Sequence, residues 1–159
     1  MDEQLFWSMI EDSWPRTPES HFLRELAFAG QLEDTQALYT LQKAFMQNLI
    51  TVLDQLPAPD VLTFDRILER KLYDIDRADI HEYTDGSDDG FLYCRGFIVS
   101  MGQAYYTAVQ ADPSRARVDL ELEDVCYVAV HLYEDKFGVF PPSDISRETG
   151  SNQEGWTEG

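Results

Sequence analysis

With 30 acidic against 12 basic side chains in 159 residues, the chain carries a formal net charge of −18 at pH 7. A small soluble domain usually carries a net charge of magnitude about 2–8. Nucleic acid and anionic membrane surfaces are recognised by Lys and Arg that neutralise phosphates, so this balance argues against both; a basic protein surface or a cation suits the field, and so does acidity that simply keeps the chain soluble.

The length corresponds to about one domain with a real core, and 43% hydrophobic with 13% aromatic residues argue against a disordered or fibrous chain. The first residues, MDEQLFWSMIEDSW, lack the basic start and apolar run of a signal peptide. No apolar run approaches the ~18 residues of a membrane span. Cys94 and Cys126 form no C-x-x-C pair and lie in apolar helical patterns, where a free Cys behaves as a small buried hydrophobe. A reduced, cytoplasmic protein is expected.

In chain order, residues 2–12 place Leu5, Phe6, Met9 and Ile10 on one helical face, behind acids suited to a helix start. Trp7 and Trp14 fall off that stripe, where they either edge the core or offer an exposed anchor to a partner. Thr17 and Pro18 form a cap and first-turn pair, with Gly30 as a stop. Residues 33–56 repeat Leu38, Leu41, Phe45, Leu49, Val52, Leu53 and Leu56 in three- and four-residue steps, a long amphipathic helix ended by Pro57 and Pro59. Asp60 is placed to cap the next helix, whose face is Val61, Phe64, Ile67, Leu68, Leu72 and Ile75.

After an acidic stretch, residues 91–110 run apolar on nearly all sides, the pattern of a buried helix. Gly96 and Gly102 inside it suit close approach of a neighbour. Residues 119–137 read as a last helix stopped by Gly138. The rest is rich in Pro, Gly and Ser and reads as a flexible tail. The fold expected is all-α: a single-domain orthogonal bundle of five or six helices around a buried central helix, covering 1–138, with the tail at 139–159.

The segment DGSDDG, residues 85–90, carries most of the functional interest. Asp85, Ser87, Asp89 and Gly90 match the D-x-S-x-D-G opening of a calcium loop. The twelfth position must supply a bidentate Glu, and here it is Gly96, so the segment is not an EF-hand. A looser site of Asp85, Asp88 and Asp89 with His81 would suit Mg²⁺, Mn²⁺ or Ca²⁺ and could activate water for hydrolysis. The structural alternative makes the same residues a helix start. Ser87 or Asp88 as cap contributes about 1 kcal/mol, and Asp88 and Asp89 complement the helix dipole.

Arg95 lies seven residues after Asp88, on the same helical face. A buried Arg calls for a carboxylate partner; the functional alternative is an anion-binding Arg in a pocket. No G-x-S-x-G, H-E-x-x-H, P-loop or G-x-G-x-x-G is present, and His21, His81 and His131 are far apart in sequence.

FWSMIEDS, SDDGFLYCRGFIVSMGQAYYTAVQADP and EDVCYVAVHLYEDKFG together resemble the bacterial family called domain of unknown function 4240, over about residues 2–138. The matching positions are Phe6 and Trp7, Ser87 to Phe91, and Arg95, Gly96, Ser100 and Gly102, while Phe97 stands where the family often has Trp. The resemblance implies no activity. The expectation is a non-catalytic interaction domain of the inhibitor or immunity type, without a cofactor, binding a basic protein through candidates Asp85, Asp88, Asp89, Arg95, Trp7 and Trp14. Its rival is a divalent-cation protein or metal-dependent hydrolase built on Asp85, Asp88, Asp89 and His81.

Overall fold

Helix starts in this protein follow capping chemistry. In the computed structural model, which describes residues 1–157, Asp2 accepts the Leu5 N–H at 2.8 Å to open α1 (Glu3–Ser13). Thr17 and Asp34 do the same for α2 (Pro18–Phe28) and α3 (Thr35–Asp54). Each such cap contributes about 1 kcal/mol. Helix α4 (Ala58–Asp74) begins directly behind Pro57 without a side-chain cap, so Asp60, expected as its cap, sits in its first turn instead. There it complements the helix dipole.

Four more helices follow before the C-terminal segment: α5 (Ala78–His81), α6 (Asp88–Ser100), α7 (Gln103–Ala111) and α8 (Val128–Phe137). A 3-10 turn lies at Pro113–Arg115, and α9 (Gln153–Trp156) is a single turn near the end. Among the described residues all regular structure is helical, as the hydrophobic periods predict. None of these helices is long and apolar enough to cross a membrane.

The central element is α6, ten of whose thirteen residues are buried, which accounts for its lack of a polar face. It packs against α4 and α7, while α4 also packs on α8 and α1 on α3. Phe6, Phe45, Phe64 and Phe91 are fully buried between them, each contributing about 1.5–3 kcal/mol of burial. Trp7 and Trp14 belong to this core, 5% and 2% exposed. The Trp14 indole N–H donates to the Ser100 carbonyl at 2.7 Å. Neither is the exposed anchor considered from the sequence.

Two predicted helices are shorter than their patterns. The 91–110 run breaks at Gly102, whose φ of +100° separates α6 from α7. Only Gly reaches that backbone conformation without strain. The 119–137 run is helical only from Val128. Before it, residues 116–127 form an irregular connection that buries Leu120, Val125 and Cys126 against α6. There the Leu122 N–H donates to the Tyr93 carbonyl at 3.0 Å. A Cβ on Gly96 would stand 2.5 Å from the Leu122 carbonyl oxygen and 2.6 Å from the Cys126 sulfur, so the close approach expected of Gly96 is real.

The C-terminal segment is placed differently from a free tail. Gly138 ends α8 in the left-handed conformation, and Val139 and Phe140 are exposed. From Ser143 to Trp156 the chain then returns to the helices and is held there. Its anchors are polar, so its low apolar content concealed them. Residues 158–159 of the expected tail lie outside the described residues.

Candidate functional site

The DGSDDG corner is first of all a helix start. The Ser87 hydroxyl donates to Asp85 Oδ1 at 2.5 Å and accepts the Gly90 N–H at 3.1 Å. Asp85 Oδ1 also accepts the Ser87 N–H at 2.7 Å. These two bonds hold the Asp85 carboxyl below its usual range, the hydroxyl acting most strongly. A Cβ at position 90 would collide with the Asp85 carboxylate and the Ser87 hydroxyl, which explains the glycine.

Asp88 and Asp89 occupy the exposed first turn of α6. His81 stands edge-on to Phe91 with ring centroids 5.0 Å apart and packs on Trp156 at 5.1 Å. Its Nε2 is 3.3 Å from the Gly86 carbonyl oxygen. Among the described residues no group of three His, Cys, Asp or Glu side chains is placed to hold a metal ion. Asp85, Asp88, Asp89 and His81 are therefore neighbours without forming a ligand set.

What the fold does bring to this corner is a second acidic segment. Burial and the charges of Asp85 and Glu123 raise the Glu121 carboxyl above its usual range. Desolvation raises the Tyr93 phenol, helped by the hydrogen bond and charge of Glu123 and the charge of Asp89. Asp85, just before α6, thus lies within electrostatic reach of Glu121 of the 116–127 connection, and Asp89, in the first turn of α6, acts with Glu123 on the Tyr93 phenol. Glu121 and Glu123 were hidden in sequence by the apparent helix over 119–137. The alternation in LEL was the one available signal against that helix.

Arg95 is fully buried, and its expected carboxylate partner is absent: among the described residues it has no ion pair. Its guanidinium instead donates to the Leu72 carbonyl at 2.9 Å, the Arg147 carbonyl at 2.9 Å and the Thr149 hydroxyl at 3.2 Å. It also lies 4.7 Å from the Phe91 ring centroid. Burial lowers its pKa, with the charge of Asp76 the first influence opposing that shift. Carbonyl dipoles here do the work expected of a carboxylate.

The buried carboxylates belong to other partners. Asp65 and Glu69, one turn apart on α4, accept from the Arg147 guanidinium at 2.7 and 3.3 Å. Arg147 also donates to the Cys126 carbonyl at 2.6 Å and lies 5.1 Å from the Tyr127 ring. Burial raises the Asp65 carboxyl against the pull of Arg147. Asp76 accepts from the Gly150 N–H at 3.1 Å, the Asn152 N–H at 3.0 Å and the Trp156 indole at 2.8 Å. Sequence reasoning missed Asp65 and Glu69, although their spacing with Leu72 places all three on one helical face.

The thiols offer no nucleophile at neutral pH, since burial pushes Cys94 up to about 11 and Cys126 up to about 12. No curated protein and no solved structure matches the chain. The residues quoted for the family resemblance now have places: Phe6 and Trp7 in the core, Ser87 and Gly90 at the helix start, Phe91 under Arg95, Gly96 against Leu122, and Gly102 at the break. The family model described as "Protein of unknown function (DUF4240)" matches residues 1–135, most of the chain, and the protein belongs to that family.

Proposed function

We propose that this protein is a non-catalytic interaction domain of the inhibitor or immunity type, docking a basic protein on the acidic face of Asp85, Asp89, Glu121 and Glu123. One observation carries the reading. Among the described residues, nine of the twelve Lys and Arg side chains are ion-paired, all but Lys43, Arg95 and Arg115. The four carboxylates of the face have no such partner among the described residues, and repulsion from Asp85 and Glu123 adds to burial, the larger cause, in raising the Glu121 carboxyl. A cationic surface relieves that repulsion on contact, speeding encounter and fixing register. Asp88 extends the same helix turn, whereas Trp7 and Trp14 are in the core and take no part.

The test compares the full chain with a variant neutralised at the face (Asp85→Asn, Asp89→Asn, Glu121→Gln, Glu123→Gln). Proteins of the native host are captured on each at low and high salt. The reading expects a basic protein retained by the parent at low salt, released at high salt and not retained by the variant. The same proteins held by both chains at both salt concentrations would overturn it.

A further inference from the structure

The segment from Ser143 to Trp156 is bound to the helices as a peptide is bound to a receptor. Its backbone is held by polar side chains: Arg95 donates to the Arg147 carbonyl, and Asp76 accepts the Gly150 and Asn152 N–H groups. Two side chains anchor it. Arg147, 4% exposed, enters between Asp65, Glu69 and the Cys126 carbonyl. Trp156, nine residues on, packs against His81 and Phe91 and donates its indole N–H to Asp76. Two glycines complete the fit. Gly150 has φ +88°, and a Cβ on Gly155 would stand 2.6 Å from the Asp76 carbonyl oxygen.

The groove has polar capacity that this segment leaves unused: Asp65 Oδ1 and Arg95 Nε are buried without hydrogen-bond partners. Every groove residue lies within residues 1–135, which the family model matches, whereas the bound segment lies outside. Between them runs an exposed stretch at Val139 and Phe140.

We propose that this groove is a peptide-recognition site for a segment bearing an arginine and, after a turn and nine residues later, a tryptophan on a single helical turn; the chain's own segment fills it in cis, and a like segment of a partner protein displaces it. Main-chain contacts tolerate many sequences, while the buried arginine and tryptophan supply selectivity. The site uses none of the four carboxylates of the acidic face; at neighbouring Asp88 only the main-chain carbonyl takes part, accepting the Thr149 hydroxyl at 2.7 Å.

The experiment inserts a protease site after Val139, cleaves the folded chain, and adds a labelled synthetic peptide of residues 143–157. The label is expected to exchange into the cleaved chain and to enter the intact chain at least about tenfold less, because the tethered segment competes at high effective concentration. A peptide that keeps only Arg147, Gly150, Gly155 and Trp156, with alanine elsewhere, should compete; Arg147→Ala and Trp156→Ala peptides should not. If the cleaved chain loses its near-ultraviolet circular dichroism, the intact Arg147→Ala chain replaces it, expected to lose hydrogen-exchange protection over 143–157 and to take up the label. Failure of the label to enter either folded chain, equal competition by the Arg147→Ala peptide, or no competition by the alanine-filled peptide overturns the proposal. Neutralising the acidic face should leave exchange unchanged, so the two readings fail separately.

Discussion

Gly96 and Ser87 show single atoms deciding local structure. With the Leu122 carbonyl only 2.5 Å from a Cβ at position 96, Gly96→Ala should destabilise by about 1–3 kcal/mol from overpacking. Alanine's helix advantage of about 1 kcal/mol offsets only part of that. Chemical denaturation measures the difference, and an unchanged midpoint would show that the connection moves freely. Burial also governs the titrating groups. With Cys94 at about 11 and Cys126 at about 12, an Ellman assay near neutral pH should find both thiols unreactive until denaturant is added. Rapid native reaction of either one would contradict their burial.

Asp65 gives a pH signature of definite sign. Its folded carboxyl titrates above the 3.8 of the free group because burial outweighs Arg147. The folded state therefore binds this proton more tightly. Ionised Asp65 lowers stability at neutral pH, and that cost fades as pH falls through the folded pKa. Carbon NMR of the Asp65 carboxyl should place its midpoint above 3.8, and Arg147→Met should move it further up. A midpoint at or below 3.8 would contradict the assignment. The Ser87 cap and the glycine contact were legible in sequence, because both follow from local chemistry. The Asp65–Arg147 pair was not, since it joins positions 82 residues apart and nothing local signals it.

At the scale of elements, the amphipathic helices α1 to α4 were readable because each keeps one polar face. The break between α6 and α7 was not, because a helix buried on all sides has no period for a turn to interrupt. Gly102 at φ +100°, with Glu11 Oε2 2.8 Å from where a Cβ would stand, marks that break. Gly102→Ala should cost about 1–3 kcal/mol through backbone strain, read as a lower Tm. An equal or higher Tm would mean that the helix can run straight through. Only the second half of the 119–137 run is helical, because Leu120, Leu122 and Val125 of its first half are buried against the core in irregular backbone. That irregularity brings Glu121 and Glu123 toward the Asp85 corner.

Over the whole molecule, charge and fold set two groups apart among the 30 acidic residues. Asp65, Asp76 and Glu69 are buried and hold the C-terminal segment. Asp85, Asp89, Glu121 and Glu123 make no ion pair among the described residues and carry the proposed docking function. Net charge suggested a basic partner from the outset, but composition alone does not distinguish the two sets. The most direct measurement is the association rate of the captured basic protein with the parent chain and with its face-neutralised variant, as a function of ionic strength. A steep fall with salt for the parent and a slower, nearly flat dependence for the variant is the predicted result. Equal rates with equal salt dependence for the two chains would contradict it.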